Sequence, residues 1–262
     1  MSDRAEPLAI RCQAVGKRFL REDVVPYHGL RTKLHDLLHR AWRQNRSSRE
    51  DAVWALRDVT FEAPAGGILG VLGGNGSGKS VLLKILARVT KPTSGRSEVY
   101  GSVNSILHLG AMLIPELTGR ENIYQTGILL RLQRITIDRH FDEIVHFAGI
   151  ETHLDSVVRG YSAGMQLRLA FAVMAYLESD VLLIDEALSV ADEEFRARCV
   201  RRIRQMAREG RTIVLVSHDL EMMADLCDQT LVLDHGRLSA FGTARPVIAA
   251  YRQQIQTDVV LS

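Results

Sequence analysis

Residues Leu72–Ser80 read LGGNGSGKS, and the apolar run GGILGVL (Gly66–Leu72) leads directly into them. The octet Gly73, Gly74, Asn75, Gly76, Ser77, Gly78, Lys79 and Ser80 satisfies G-x-x-x-x-G-K-[ST]. Each position in that pattern has a physical task. The glycines let backbone N–H groups turn inward around α- and β-phosphates, in conformations a Cβ would obstruct. Lys79 reaches the β and γ oxygens, and Ser80 offers a hydroxyl to Mg²⁺. The SVLLKILARV stretch that follows reads as a helix whose positive N-terminus faces the phosphates. A strand before and a helix after separate this stretch from a chance glycine-rich match.

The bulk properties set limits on the rest. A chain of 262 residues with 46% hydrophobic content can bury a large core. A formal net charge of +2 is too mild to mark a nucleic-acid binder. Cys12, Cys199 and Cys227 match no metal or redox spacing. The start, MSDRAEPLAIRCQ, has charges and no apolar signal core, and no run approaches the roughly 18 apolar residues of a membrane span. The expectation is a cytoplasmic protein that reaches a membrane only through a partner.

The pattern along the chain is mixed α/β. Strands are predicted at LAIRCQAVGKRF, AVWALRDVTFEA, GILGVL, RSEVYGSVNSILHL, DVLLID, RTIVLVS and QTLVLD. Several are continuous apolar runs, as strands buried on both faces of a largely parallel sheet must be. Between NSILHL and DVLLID, about residues 115–177, the chain reads instead as helices: GRENIYQTGILLRL, IDRHFDEIVHFAG and AGMQLRLAFAVMAYL. A helical subdomain inserted into one nucleotide-binding domain spanning 1–262 is the simplest organisation, with 241–262 a short C-terminal helix or tail. Residues 21–51 fit neither part. Leu30, Leu34, Leu37, Leu38 and Ala41 fall on one helical stripe, with Arg31, Lys33, Arg40 and Arg43 outside it. The segment separates the first two strands, where a connection of about 4–6 residues is the norm.

DVLLIDEALS supplies a second half for the site. Asp185 follows a buried apolar strand, so it stands at the carboxyl end, where open α/β sheets bind ligands. There it can bind Mg²⁺ through water, and Glu186 beside it can orient and deprotonate an attacking water. His218 ends TIVLVSHD, a strand of the same sheet, and can reach the γ-phosphate to keep that water in line with Glu186.

The segment GYSAGMQLRLAFAVMAYLESDVLLIDEALSVAD closely resembles the signature region of ABC transporter ATPases. The resemblance covers roughly Leu8 to Leu238, with the motifs in order. It implies a P-loop, RecA-like ABC nucleotide-binding fold with a helical subdomain and an antiparallel β part. It aligns the L-S-G-G-Q signature with Tyr161, Ser162, Ala163, Gly164 and Met165, so that Met165 replaces the glutamine. It makes Asp192 the D-loop residue and His218 the switch histidine. In that family the signature of one subunit completes the phosphate site of the other, which implies a homodimer closing on two ATPs. PELTGRENIY, the Y-S-x-G-M signature and TIVLVSHDL are similar to ATPase subunits of polysaccharide exporters. That likeness implies a separate integral-membrane permease, a lipid-linked cell-envelope glycan such as O-antigen, capsule or teichoic acid, and a place on the inner face of the cytoplasmic membrane. It also implies that the 21–51 insertion approaches the permease, as a basic amphipathic helix would at a membrane surface.

Some positions depart from the family. No Q-loop glutamine lies near SILHLGAMLIPELT; His108 is near that position. Val81 follows Ser80 where many relatives carry Thr. The adenine-stacking ring is Phe19 or Trp54, with Phe19 preferred. The sequence ends soon after GTARPVIAAYRQQ, so no glycan-reading β-sandwich is expected. Other readings are weaker. A DNA- or ribosome-directed ABC protein would show a second cassette, a coiled-coil insertion or a basic arm. A P-loop kinase or GTPase would lack the signature, and a GTPase would carry N-K-x-D.

Overall fold

The apolar strands of the centre are continuous because both of their faces are covered. The computed structural model describes residues 7–20, 52–106, 112–176, 178–185 and 193–261. Six strands form one sheet in the order β5-β6-β7-β3-β8-β9: β5 (Val103–Ile106), β6 (Val181–Asp185), β7 (Thr212–Val216), β3 (Ile68–Leu72), β8 (Gln229–Asp234) and β9 (Arg237–Thr243). All neighbours are parallel except β8 and β9. A three-stranded antiparallel sheet, β2-β1-β4, consists of β1 (Leu8–Leu20), β2 (Ala52–Pro64) and β4 (Ser94–Val99).

Alternation along the strands sorts the core into two layers. Leu69, Val71, Leu183, Val214, Val216 and Leu231 face helix α1 (Lys79–Leu86) and the antiparallel sheet beyond it. Leu82, Leu83, Ile85 and Leu86 of α1 are all buried, because this helix is enclosed between the two sheets. Each such aliphatic side chain contributes about 1.5–3 kcal/mol on burial. Ile68, Leu72, Leu182, Ile184, Ile213, Leu215 and Val232 face the other way, onto the remaining helices. These are α2 (Gly119–Leu129), α3 (Arg134–Ala148), α4 (Ala163–Met174), α5 (Glu193–Arg208), α6 (Leu220–Leu226) and α7 (Ala244–Leu261).

The PELTGRENIY stretch is a scaffold. Asn122 is fully buried; its Oδ1 accepts from Ile114 N at 2.7 Å, and its Nδ2 donates to the carbonyls of Ile114, Leu117 and Thr118 at 3.0–3.2 Å. Thr118 and Glu121 form a reciprocal capping box at the start of α2. The Thr118 backbone N–H, ahead of its hydroxyl, holds the Glu121 carboxyl below its ordinary value.

The structure differs from the sequence pattern in several places. The single strand expected at RSEVYGSVNSILHL is two strands in different sheets, β4 and β5, parted at Gly101, whose φ is +89°. A Cβ on Gly101 would press on Asp180, which accepts from Ser102 N and Oγ at 2.7 Å and so fixes the break. β9, α5 and α6 lie outside the predicted pattern altogether. Of the segment expected as a short C-terminal helix or tail, 241–262, the first three residues belong to β9, and the helix α7 begins at Ala244.

Candidate nucleotide site

Three adjacent strands bring the phosphate loop, Asp185 and His218 to one edge. Asp185 pairs with Val216, and Val71 pairs with the same Val216 from the other side. The residues that follow β3, β6 and β7 therefore emerge together at the carboxyl end of the sheet, where open α/β sheets bind ligands. Asp185 is half-buried there, and His218 is exposed just past the buried Ser217.

The loop itself is a preformed cradle. Gly73 has φ +143° and Gly78 φ +107°, which glycine alone adopts without strain. A Cβ at Gly73 would collide with Leu233 O and Ser77 Oγ, and one at Gly78 would lie 2.6 Å from Ala55 O. Lys79 is only 8% exposed, and its Nζ donates to Gly73 O at 2.8 Å and Gly74 O at 2.9 Å. The ammonium thus lies across the loop mouth. Ser77 Oγ is buried and has no hydrogen-bond partner among the described residues. Gly74, Asn75, Gly76 and Ser80 stay accessible, with Gly74 and Gly76 facing open space. This donor set and the empty space over it fit a polyphosphate. Among the described residues no cluster of three or more His, Cys, Asp or Glu can hold a metal alone. Mg²⁺ is commonly held by one or two protein groups together with phosphates, the role expected of Ser80 and Asp185.

The loop is braced by residues that the sequence reading did not single out. Gly236 N donates to Ser77 O at 3.1 Å, Gly236 O accepts from Arg57 N at 2.7 Å, and Leu233 O backs Gly73. The β8–β9 turn and the middle of β2 therefore clamp the back of the cradle. The signal was present as Asp-x-Gly between two apolar runs, a hairpin pattern.

The two aromatic candidates fall on opposite faces of the β1–β2 ribbon. Phe19 pairs with Val53 and Arg18 with Trp54, and successive residues alternate in direction. Trp54 is packed over Gly16 and contacts the guanidinium groups of Arg18 and Arg57, at 5.9 and 5.7 Å from its ring centre. Phe19 has the Lys17 ammonium at 5.3 Å.

The signature residues open α4. Ser162 is its N-cap, with Oγ accepting from Met165 N at 3.2 Å, and Ala163 is exposed beside it. Gly164 has no close neighbour to its Cβ position other than Ser162 Oγ. Tyr161 is buried, and its hydroxyl donates to His153 O at 2.6 Å. Met165 packs against the hydrophobic core, which accounts for an apolar residue at that position. Val81 packs against the layer around α1. His108, Glu186, Asp192 and the 21–51 insertion lie outside the described residues.

Residues 56–189 match the family model described as ABC transporter. The chain belongs to the ABC transporter family. It is an ATPase of that family, and ATP is its nucleotide. Over 248 residues it is 38% identical to the O-antigen export system ATP-binding protein RfbB of Myxococcus xanthus, covering 94% of this chain and 56% of that protein. It is 36% identical over 227 residues to the O-antigen export system ATP-binding protein RfbB of Klebsiella pneumoniae, covering 87% of this chain and 92% of that one. Among solved structures, it resembles an ATP-binding cassette described as dimeric, in a post-hydrolysis state with ADP and Pi. The TM-score is 0.69 at 19% identity, covering 90% of this chain and 99% of that one. That likeness carries the ABC fold: a central sheet, an antiparallel β layer and a helical layer. No helix among the described residues is long and apolar enough to cross a membrane.

Proposed function

We propose that this chain is the ATP-hydrolysing subunit of an exporter that moves a lipid-linked cell-envelope polysaccharide across the cytoplasmic membrane. The observation that carries the substrate class is the 36–38% identity to O-antigen export ATP-binding proteins over 87–94% of the chain. The cradle at Gly73–Ser80, with Asp185 and His218 on the same sheet edge, supports the chemistry.

In this reading the loop N–H groups surround the α- and β-phosphates, and Lys79 reaches the β and γ oxygens. Ser80 and Asp185 would hold Mg²⁺, which would neutralise charge on the phosphate oxygens. Glu186 accepts a proton from the attacking water, and His218 keeps that water aligned. A second copy places Ser162, Ala163 and Gly164 of its α4 N-terminus against the γ-phosphate, where helix N–H groups favour an anion. Met165 contributes packing, and Asp192 is the D-loop residue by family resemblance. Phe19 is the preferred partner of the adenine, because the Trp54 ring already packs against two guanidinium groups and Gly16. A separate membrane permease receives the motion through the region of His108 and through the 21–51 insertion. The ATPase thus sits peripherally at the inner face of the membrane, without contact to nucleic acid.

The test is genetic. Deleting the gene from its host should abolish surface polysaccharide and leave lipid-linked glycan inside the cell, measured by gel electrophoresis and glycan blotting. The wild-type gene should restore export, and Lys79→Ala should not. Normal surface polysaccharide in the deletion strain would overturn the substrate assignment.

A further inference from the structure

Helix α5 begins directly after the segment that carries Glu186 and Asp192, and α6 begins directly after His218. One side chain ties the two starts together. Arg196, in the first turn of α5, donates from Nη1 to Asp219 Oδ2 at 2.9 Å. Its Nη2 lies 3.0 and 2.9 Å from the two carboxylate oxygens of Glu193. Asp219 is the residue after His218 and is fixed on its other side as well. Its Oδ1 caps α6 by accepting from Met222 N at 3.0 Å, and its own N–H donates to Ser217 Oγ at 3.1 Å.

The helix that carries Arg196 is itself anchored. Phe195, Cys199, Ile203 and Met206 form its buried stripe. Further along, Arg202 donates from Nε and Nη2 to Ala175 O, the C-cap residue of α4, at 3.1 and 2.9 Å. Arg198 lies 3.4 Å from Phe147 O near the end of α3. α5 is therefore a fixed beam, joined to the helical layer along its length and to the His218 turn at its start. A planar guanidinium gripping two carboxylates sets direction as well as distance. The bridge is only partly buried, with Arg196 37% and Asp219 34% exposed, so its contribution to folding is small and its contribution to geometry is the larger one.

We propose that Arg196 is a positioning residue for ATP hydrolysis: through Asp219 it holds the Ser217–Asp219 turn, and with it His218, in register with α5 and the phosphate loop. The proposal rests on the reading of His218 given above. Arg196 itself touches neither nucleotide nor water in this account. Its loss lowers turnover and leaves nucleotide binding in place.

The purified full chain allows the test. Asp219→Asn keeps a carbonyl oxygen to cap α6 and removes the charge that Arg196 grips. Arg196→Ala removes the grip itself, and Arg196→Lys keeps charge without the planar fork. Misplacing a group by about 1 Å can cost up to about a hundredfold in rate. The expected result is a fall in kcat of about tenfold for Arg196→Ala and for Asp219→Asn. The double variant should be no worse than the weaker single, Arg196→Lys should recover part of the loss, and the Kd for a fluorescent ATP analogue should stay within about twofold. Placed on His218→Ala, Arg196→Ala should add no further loss. Wild-type kcat in Asp219→Asn, or a full additional loss on the His218→Ala background, would overturn the role of Arg196 while leaving the site assignment intact. Full hydrolysis by His218→Ala would overturn both. Should Arg196→Ala fail to fold, Asp219→Asn alone and combined with His218→Ala decides the matter.

Discussion

Lys79 shows how the site is kept ready at the scale of one residue. Its ammonium is largely buried and lies on the carbonyls of Gly73 and Gly74; in the proposed role, binding ATP would exchange these neutral oxygens for charged ones. That exchange favours the nucleotide because charge-assisted hydrogen bonds are the stronger kind. The Gly73 position sets the cradle's shape. Gly73→Ala introduces a Cβ against Leu233 O at φ +143°, and backbone strain of this kind costs about 1–3 kcal/mol. We expect ATP affinity to fall on the order of ten- to a hundredfold, measured by isothermal titration, with the far-ultraviolet circular dichroism spectrum unchanged. Unaltered affinity would mean that the loop relaxes around the methyl group. At this scale the loop's geometry was legible, because a fixed octet of residue types encodes it. The adenine ring was not, since Phe19 and Trp54 sit one pairing step apart on the same ribbon and differ only in the face they present.

At the scale of elements, Asn122 decides how the chain enters α2. It satisfies the backbone of Ile114, Leu117 and Thr118 from a position with no access to water. Asn122→Ala would strand Ile114 N–H and leave the carbonyls short of a donor, each such buried group costing about 1–3 kcal/mol. Denaturant unfolding should therefore show a loss of about 3 kcal/mol, and a loss below about 0.5 kcal/mol would show that water replaces the amide. The long parallel strands were legible as apolar runs, for the physical reason that both faces are covered. α5 was not, because its arginine-rich surface dilutes a stripe of Phe195, Cys199, Ile203 and Met206 that only the spacing reveals. The division of RSEVYGSVNSILHL into β4 and β5 was hidden as well. It depends on Gly101 and on Asp180, a partner distant in sequence.

At the scale of the whole molecule, the fold brings motifs from β3, β6 and β7 to one edge and leaves the signature at the exposed start of α4. Leu20 pairs directly with Ala52, so the β1–β2 ladder closes at the two residues that flank 21–51. The α/β class with an antiparallel layer could be read from the chain. The proposed dimer rests on family resemblance alone, because an interface between two copies leaves no periodicity in one. The central claim is that ATP closes two copies of this chain on each other and that Glu186 releases them. Glu186→Gln keeps the shape of the side chain and removes the base, a change that typically slows hydrolysis by about 10²–10⁴-fold. The most direct measurement is the solution mass of purified Glu186→Gln by light scattering, with and without ATP and Mg²⁺. The account predicts one chain without nucleotide and a lasting pair of chains with it, while the wild type returns to single chains as ATP is consumed. A variant that stays a single chain at saturating ATP would contradict it.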